Sequence, residues 1–163
     1  MSLFGFLVNN EPAMSDVPEL TDHLGYWLRQ VSNHVSQAFA RKVASKGVTV
    51  AEWALMRMLY ASADAAPSRL ADEMGLTRGA ITKLADRLIA KGLMVREASA
   101  TDGRAQTLRL TRQGARLVPQ IAALADQNER ECFAHLGTKD RQTLQRILRD
   151  SVARLGITAV AVD

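Results

Sequence analysis

The stretch from Pro67 to Leu88 constrains the fold of this chain more than any other. Apolar residues stand at Leu70, Met74, Leu76, Ile81, Leu84 and Leu88, with Ala71 and Gly75 among them. Leu70 and Met74 are one helical turn apart and share a face. Ala71 falls where two helices cross closely, and a larger side chain there would push them apart. Gly75 falls where the first helix must stop in a left-handed residue, which glycine adopts without steric cost. Thr77 supplies a hydroxyl N-cap for a second helix. Ile81, Leu84 and Leu88 then set that helix's inner face. The ordered spacing predicts a helix-turn-helix.

The outer face of the second helix carries Thr77, Arg78, Gly79, Thr82 and Lys83 in its first two turns. Short polar groups and cations at a helix N-terminus suit insertion into a major groove. Arginine can bond guanine through two hydrogen bonds, threonine can reach a base edge or a thymine methyl, and glycine permits close approach to the backbone. Ser68 and Arg87 complete the candidate contacts on these two helices. Charged helix faces often do no more than face water. The hairpin beyond Gly92 weighs against so bland a role here.

Gly92 ends the second helix, and the hairpin begins at once. Leu93–Glu97 reads as one strand and Gln106–Leu110 as the other, with Leu108 and Leu110 alternating inward. Between them Ser99-Ala100-Thr101-Asp102-Gly103-Arg104 is a polar loop with an Asp-Gly turn pair. Such a loop can place Arg104 in a minor groove, whose negative potential favours an arginine, with Asp102 orienting the guanidinium. A lone Asp-Gly would read as an ordinary hairpin turn. Joined to the preceding helices, it reads as the wing of a DNA-binding fold.

Several runs together resemble the MarR family of bacterial transcription regulators. They are Thr49-Val50-Ala51-Glu52-Trp53, Leu70 through Thr77, Leu84 through Arg96, and the Asp102-to-Arg104 loop with Leu108 through Gly114. The resemblance extends from about Leu20 to Leu155. It departs at the wing tip, which in the family usually reads Asp-Arg-Arg and here reads Asp102-Gly103-Arg104. One cation of the wing is therefore missing.

The net charge of +4 is unevenly placed. Residues 1–66 hold five Lys/Arg against six Asp/Glu, residues 67–109 eight against five, and residues 110–163 eight against six. The shortest of these spans carries the largest positive excess, where phosphate contact is expected. With 163 residues, 47% of them hydrophobic, the chain has the composition of one soluble domain, spanning residues 1–163. No apolar run is long enough for a bilayer. Met1–Val8 lacks the basic start and cleavage site of a signal peptide. One cysteine, Cys132, allows no internal disulfide, so a cytoplasmic location is expected.

The flanks predict the assembly. From Leu20, apolar residues recur at Leu24, Trp27, Leu28, Val31, Val35, Phe39 and Val43, the three-and-four spacing of a long amphipathic helix ending near Gly47. Thr49 and Glu52 form a capping box for the next helix, whose inner residues include Trp53, Leu55, Met56, Leu59 and Tyr60. Thr111 caps a helix carrying Leu117, Ile121, Leu124, Cys132 and Leu136, and Thr138 opens a last one with Leu144, Ile147, Leu148, Val152 and Leu155. Terminal helices with little of their own domain to cover them bury their stripes against a twofold partner. A homodimer is therefore expected, with residues 20–46 and 112–156 as dimerisation helices and Leu24, Leu148 and Val152 in the interface. Residues 49–110 are the winged helix-turn-helix part. A monomer with a larger helical core is the alternative, although so small a domain buries little surface alone.

The resemblance further implies a small ligand in a crevice between the dimerising helices and the winged part. Trp27, His34 and Trp53 are its candidate walls, suited to an aromatic carboxylate or a phenol. Both indoles also fall on apolar stripes, so core packing is an alternative role for each. Cys132 and His135 lie three apart, on one side if both are helical, but they do not match the ligand sets of zinc-sensing relatives. No metal or cofactor is expected, and no nucleophile–base pairing or phosphate-cradling loop marks an enzyme. The expected fold is mainly α, a winged helix-turn-helix with a two-stranded β-hairpin wing and long N- and C-terminal dimerisation helices. The expected function is a homodimeric, sequence-specific regulator of double-stranded DNA, a repressor on a pseudo-palindromic operator released by a small aromatic ligand. A ligand-independent architectural DNA binder is the alternative.

Overall fold

Gly75 ends a helix with φ 65°, the left-handed conformation its position requires. Around it, the computed structural model of the chain places the other elements; it describes residues 17–62, 64–98 and 106–157. In chain order these are α1 (Leu24–Ala44), α2 (Val50–Ser62), β1 (Asp64–Ala65), α3 (Pro67–Met74), α4 (Arg78–Ala90), β2 (Met94–Ala98), β3 (Gln106–Leu110), α5 (Arg112–Phe133) and α6 (Thr138–Arg154). The chain falls into two units, residues 1–33 and 34–163, and α1 is divided between them in sequence.

In the first unit, Leu20–Asp22 form a 3-10 turn rather than the start of a long helix. The Asp22 carboxylate accepts the Glu19 backbone N–H at 3.1 Å. His23 is then extended, with φ −97° and ψ 124°, so the helix expected from Leu20 begins only at Leu24. The Trp27 indole N–H donates to the Thr21 carbonyl at 2.8 Å, and its ring meets Tyr26 edge to face.

In the second unit the core gathers the inner faces of α2, α3, α4 and α5 around the sheet. Leu55, Met56, Leu59, Leu70, Met74, Ile81, Leu88, Met94, Leu108 and Ile121 are all buried. The expected two-stranded wing is a three-stranded antiparallel sheet of order β1-β3-β2. The added strand, β1, pairs Asp64 with Arg109 and Ala65 with Leu108, while β2 pairs Met94 with Leu110 through Ala98 with Gln106. Two residues give too short a pattern to read as a strand without the partner that pairs with them.

Leu93, expected to open β2, instead closes α4. Gly92 is left-handed at φ 68°, and the Leu93 N–H returns to the Leu88 carbonyl at 2.9 Å. Thr111 ties this end to α5: its hydroxyl donates to the Gly92 carbonyl at 2.8 Å and accepts the Gly114 N–H at 3.0 Å. Gly114 follows from this closeness, since a Cβ there would stand 2.1 Å from the Leu93 carbonyl oxygen.

Three further expectations need correction. Tyr60, expected on the inner face of α2, is exposed, because it lies off the face formed by Leu55, Met56 and Leu59. Leu136 and His135 lie in the turn after α5, which stops at Phe133, and so are not on the helix that holds Cys132. The shared-face argument for a Cys132–His135 metal pair does not hold. Among the described residues no helix is long and apolar enough to cross a membrane.

Candidate nucleic-acid interface

The helix-turn-helix is built by two caps. Pro67 occupies the first turn of α3, where its missing N–H costs nothing. Thr77 caps α4 by accepting the Ala80 N–H at 3.2 Å. Ile81, Leu84, Ala85 and Leu88 are buried on the inner face of α4. Thr77, Arg78, Gly79, Thr82, Lys83 and Arg87 are not, so the structure brings six of the expected contacts to the solvent side of this helix region. Ser68, in the first turn of α3, is half-buried.

Their chemistry differs in detail. Arg78 and Lys83 form no ion pair among the described residues, which leaves both charges available to a polyanion. The Thr82 hydroxyl donates to the Arg78 carbonyl at 3.0 Å. It retains acceptor capacity for a second partner. Gly79 has nothing but the Thr77 hydroxyl, at 4.0 Å, near a built Cβ, so the surface over it is open.

Arg87 is placed by a partner that sequence reasoning missed. Its Nε lies 3.2 Å from Glu52 Oε1, and Lys91 Nζ lies 2.7 Å from Glu52 Oε2. Glu52 is fully buried and also closes the expected capping box, accepting the Thr49 N–H at 2.8 Å while the Thr49 hydroxyl accepts the Glu52 N–H at 3.2 Å. Burial pushes this carboxyl up. The Lys91 hydrogen bond, the Thr49 N–H and the charges of Lys91 and Arg87 together outweigh it and hold the pKa below the ordinary value. The back of α4 is thus clamped to α2 by one carboxylate. The signal for it was present: Arg87 and Lys91 are four apart at the end of α4 and share a face.

Other cations are paired. Arg69 meets Glu73 at 2.6 Å along α3, and Arg96 of β2 meets Asp86 of α4 at 2.8 Å. Arg109 and Glu97 pair across β2 and β3, which lowers the carboxyl and raises the guanidinium pKa through that hydrogen bond. Asp102 and Arg104, the wing-tip contacts, lie outside the described residues.

The expected effector residues are dispersed in character. Trp27 is half-exposed and its N–H is already bonded. His34 is exposed. Trp53 packs edge to face on Phe39 at 5.2 Å, and its indole N–H is buried without an acceptor among the described residues. Leu24, Leu148 and Val152 are all exposed on the single chain.

The same fold and helix-turn-helix recur in known proteins. The MarR family model matches residues 46–105. A Thauera aromatica protein assigned to transcriptional regulation of the hcr operon is 30% identical over 145 residues, covering 85% of this chain and 87% of the relative. A cysteine-to-serine mutant of MarR from E. coli, solved with operator DNA, aligns with TM-score 0.71 at 22% identity over 83% of this chain and 99% of that one. Bordetella bronchiseptica BpsR, solved in connection with regulation of its DNA binding by 6-hydroxynicotinic acid, aligns with TM-score 0.70 at 18% identity, over 83% and 96%. At these identities the two structures speak for the fold.

Proposed function

This chain belongs to the MarR family of transcription regulators, and we propose that it is a homodimeric repressor that reads a pseudo-palindromic operator with α4 in the major groove. One observation carries the reading: α4 buries Ile81, Leu84, Ala85 and Leu88 while its outer face presents Arg78 and Lys83, unpaired among the described residues, beside Thr77, Gly79 and Thr82. Arg78 sits at the start of the helix, where base-reading residues of such helices stand. Arg78→Ala should cost about 1–3 kcal/mol on a duplex the protein selects from a randomised pool, and much less on random DNA. Equal losses on both would make Arg78 a phosphate contact, and no loss on either would refute the docking.

The homodimer reading is supported by apolar residues that a single chain leaves in water. On α6 these are Leu144, Ile147, Leu148 and Val152, and at the start of α1 they are Leu24 and Leu28. Two related copies also match the symmetry of a palindromic site. Residues 20–46 and 112–156 are the segments assigned to the interface, and 49–110 the part assigned to DNA.

The release of DNA by a small aromatic ligand is supported chiefly by Trp53, since a buried N–H without an acceptor is costly and a ligand carboxylate or phenol oxygen would satisfy it. BpsR offers a fold-level analogy through its aromatic acid. His34, in the same unit as Trp53, is assigned to the same effector. Linkage supplies the test: an aromatic acid that quenches tryptophan fluorescence must bind more weakly when the selected duplex is present, by the factor by which it weakens DNA binding. A titration in which DNA leaves ligand affinity unchanged would favour the architectural reading.

A further inference from the structure

The two cations on Glu52 are not held alike. Lys91 donates to Oε2 at 2.7 Å, beside the Thr49 N–H on the same oxygen. Arg87 faces the other oxygen. Its Nε stands 3.2 Å from Oε1, yet Oε1 is buried and accepts no hydrogen bond among the described residues. The carboxylate lies in the core, whereas more than half of the Arg87 side chain is exposed. The guanidinium is therefore held by charge on its inner side, and among the described residues its N–H groups remain uncommitted. Arginine carries five donors in a planar fork, enough to meet two anions at once.

Arg87 also stands where a phosphate is expected. It lies nine residues beyond Arg78 on α4, about 13 Å further along the axis at about 1.5 Å per residue. On a helix that presents its N-terminal residues to the bases, a side chain that far back meets the edge of the groove, where the phosphates run. Lys83 precedes it by one turn on the same face. A long arginine loses rotamer freedom when it meets a phosphate, and one already held in place loses less. We propose that Glu52 is a positioning residue for DNA binding: from the core, its carboxylate holds the Arg87 guanidinium toward a phosphate that the outer side of the same guanidinium contacts. This role rests on the DNA-binding reading above. It also inverts a simple expectation, because an acid near a polyanion should otherwise only repel it.

The test is a double-mutant cycle on binding of the full chain to the selected duplex, with Glu52→Gln, Arg87→Gln and the double variant. Each affinity is referred to the folded fraction measured by circular dichroism. Arg87→Gln should weaken binding and lower the salt slope by about 0.9 for each copy bound, as the loss of one phosphate contact requires. Glu52→Gln, although it removes a negative charge, should weaken binding by about two- to tenfold. In the Arg87→Gln background the same substitution should weaken it no further. That readout separates positioning from support of the fold, since a merely structural role lowers affinity equally in both backgrounds. Arg87→Lys leaves the core carboxylate in place and keeps the charge but not the fork, and should bind at least about twofold more weakly than the wild type. Unchanged or tighter binding by Glu52→Gln, an equal loss in both backgrounds, or full affinity in Arg87→Lys overturns the proposal. A wild type that selects no duplex refutes the DNA-binding reading and the proposal with it. A wild type that binds its duplex while Glu52→Gln binds it as well refutes the positioning role alone.

Discussion

Glu52→Gln isolates the charge of the buried clamp, because glutamine keeps the shape and keeps an oxygen to accept the Thr49 N–H. What it removes is the anion that Lys91 and Arg87 meet at 2.7 and 3.2 Å. The Glu52 side chain is 1% exposed, whereas Lys91 is 36% and Arg87 57% exposed. The charge-assisted Lys91 bond contributes about 1.5–3 kcal/mol. Half-exposed Arg87 adds at most about 1 kcal/mol after solvent screening. Both freed cations can turn to water, so the loss stays below the roughly 3–5 kcal/mol of breaking a fully buried pair. Relief of the carboxylate's own burial cost reduces it further, and about 2 kcal/mol at pH 7 is expected. For a chain of this size that is a fall of about 4–8 °C in Tm. The pH dependence has a definite sign. The folded pKa of Glu52 lies below its ordinary value near 4.5, so its stabilisation is complete above that value and is lost as pH falls through the folded pKa. Urea denaturation of both proteins should therefore give a gap that is flat from about pH 8 to 5 and narrows below about pH 4. A gap under about 0.5 kcal/mol at pH 7, or one that widens in acid, would refute the clamp.

Two substitutions test neighbouring parts of the structure. Gly114→Ala, which in an open helix would gain about 1 kcal/mol, should instead lose about 3 kcal/mol or more, because its Cβ meets the Leu93 carbonyl oxygen at 2.1 Å; a thermal melt at or above the wild-type midpoint would contradict the close approach of α5. Leu148→Glu places a charge in the proposed dimer interface, at a cost of several kcal/mol if it is buried there, and sedimentation should find monomers with weakened operator binding; a folded dimer of full DNA affinity would move the interface off α6.

The parts of this fold legible in the sequence were those with local causes. Gly75 and Gly92 mark left-handed helix ends, Thr77 and Thr111 mark caps, and each imposes its geometry within a few residues. The helical spacing of Leu70, Met74, Ile81, Leu84 and Leu88 was enough to place the inner faces of α3 and α4. Where a second element decides the outcome, the sequence was silent. β1 exists only through its pairing with Leu108 and Arg109, and Leu93 joins a helix cap because Gly92 and Thr111 converge on it. Glu52 is the sharper case. Its capping box with Thr49 was readable from a spacing of three residues, and that local role gave no cause to seek another. Yet a carboxylate has two oxygens and several lone pairs, and a buried one calls for more than a single backbone N–H; here Lys91 joins Thr49 on Oε2, while Oε1 meets Arg87 at 3.2 Å as an ion pair without a hydrogen bond among the described residues. Spare acceptor capacity on a buried acid is itself a signal that distant cations converge on it, and the four-residue spacing of Arg87 and Lys91 names which. The same physics makes the exposed charges on α4 unequal. Arg78 and Lys83 are exposed and form no ion pair among the described residues, whereas Arg87 is shared between an outer face and an inner carboxylate.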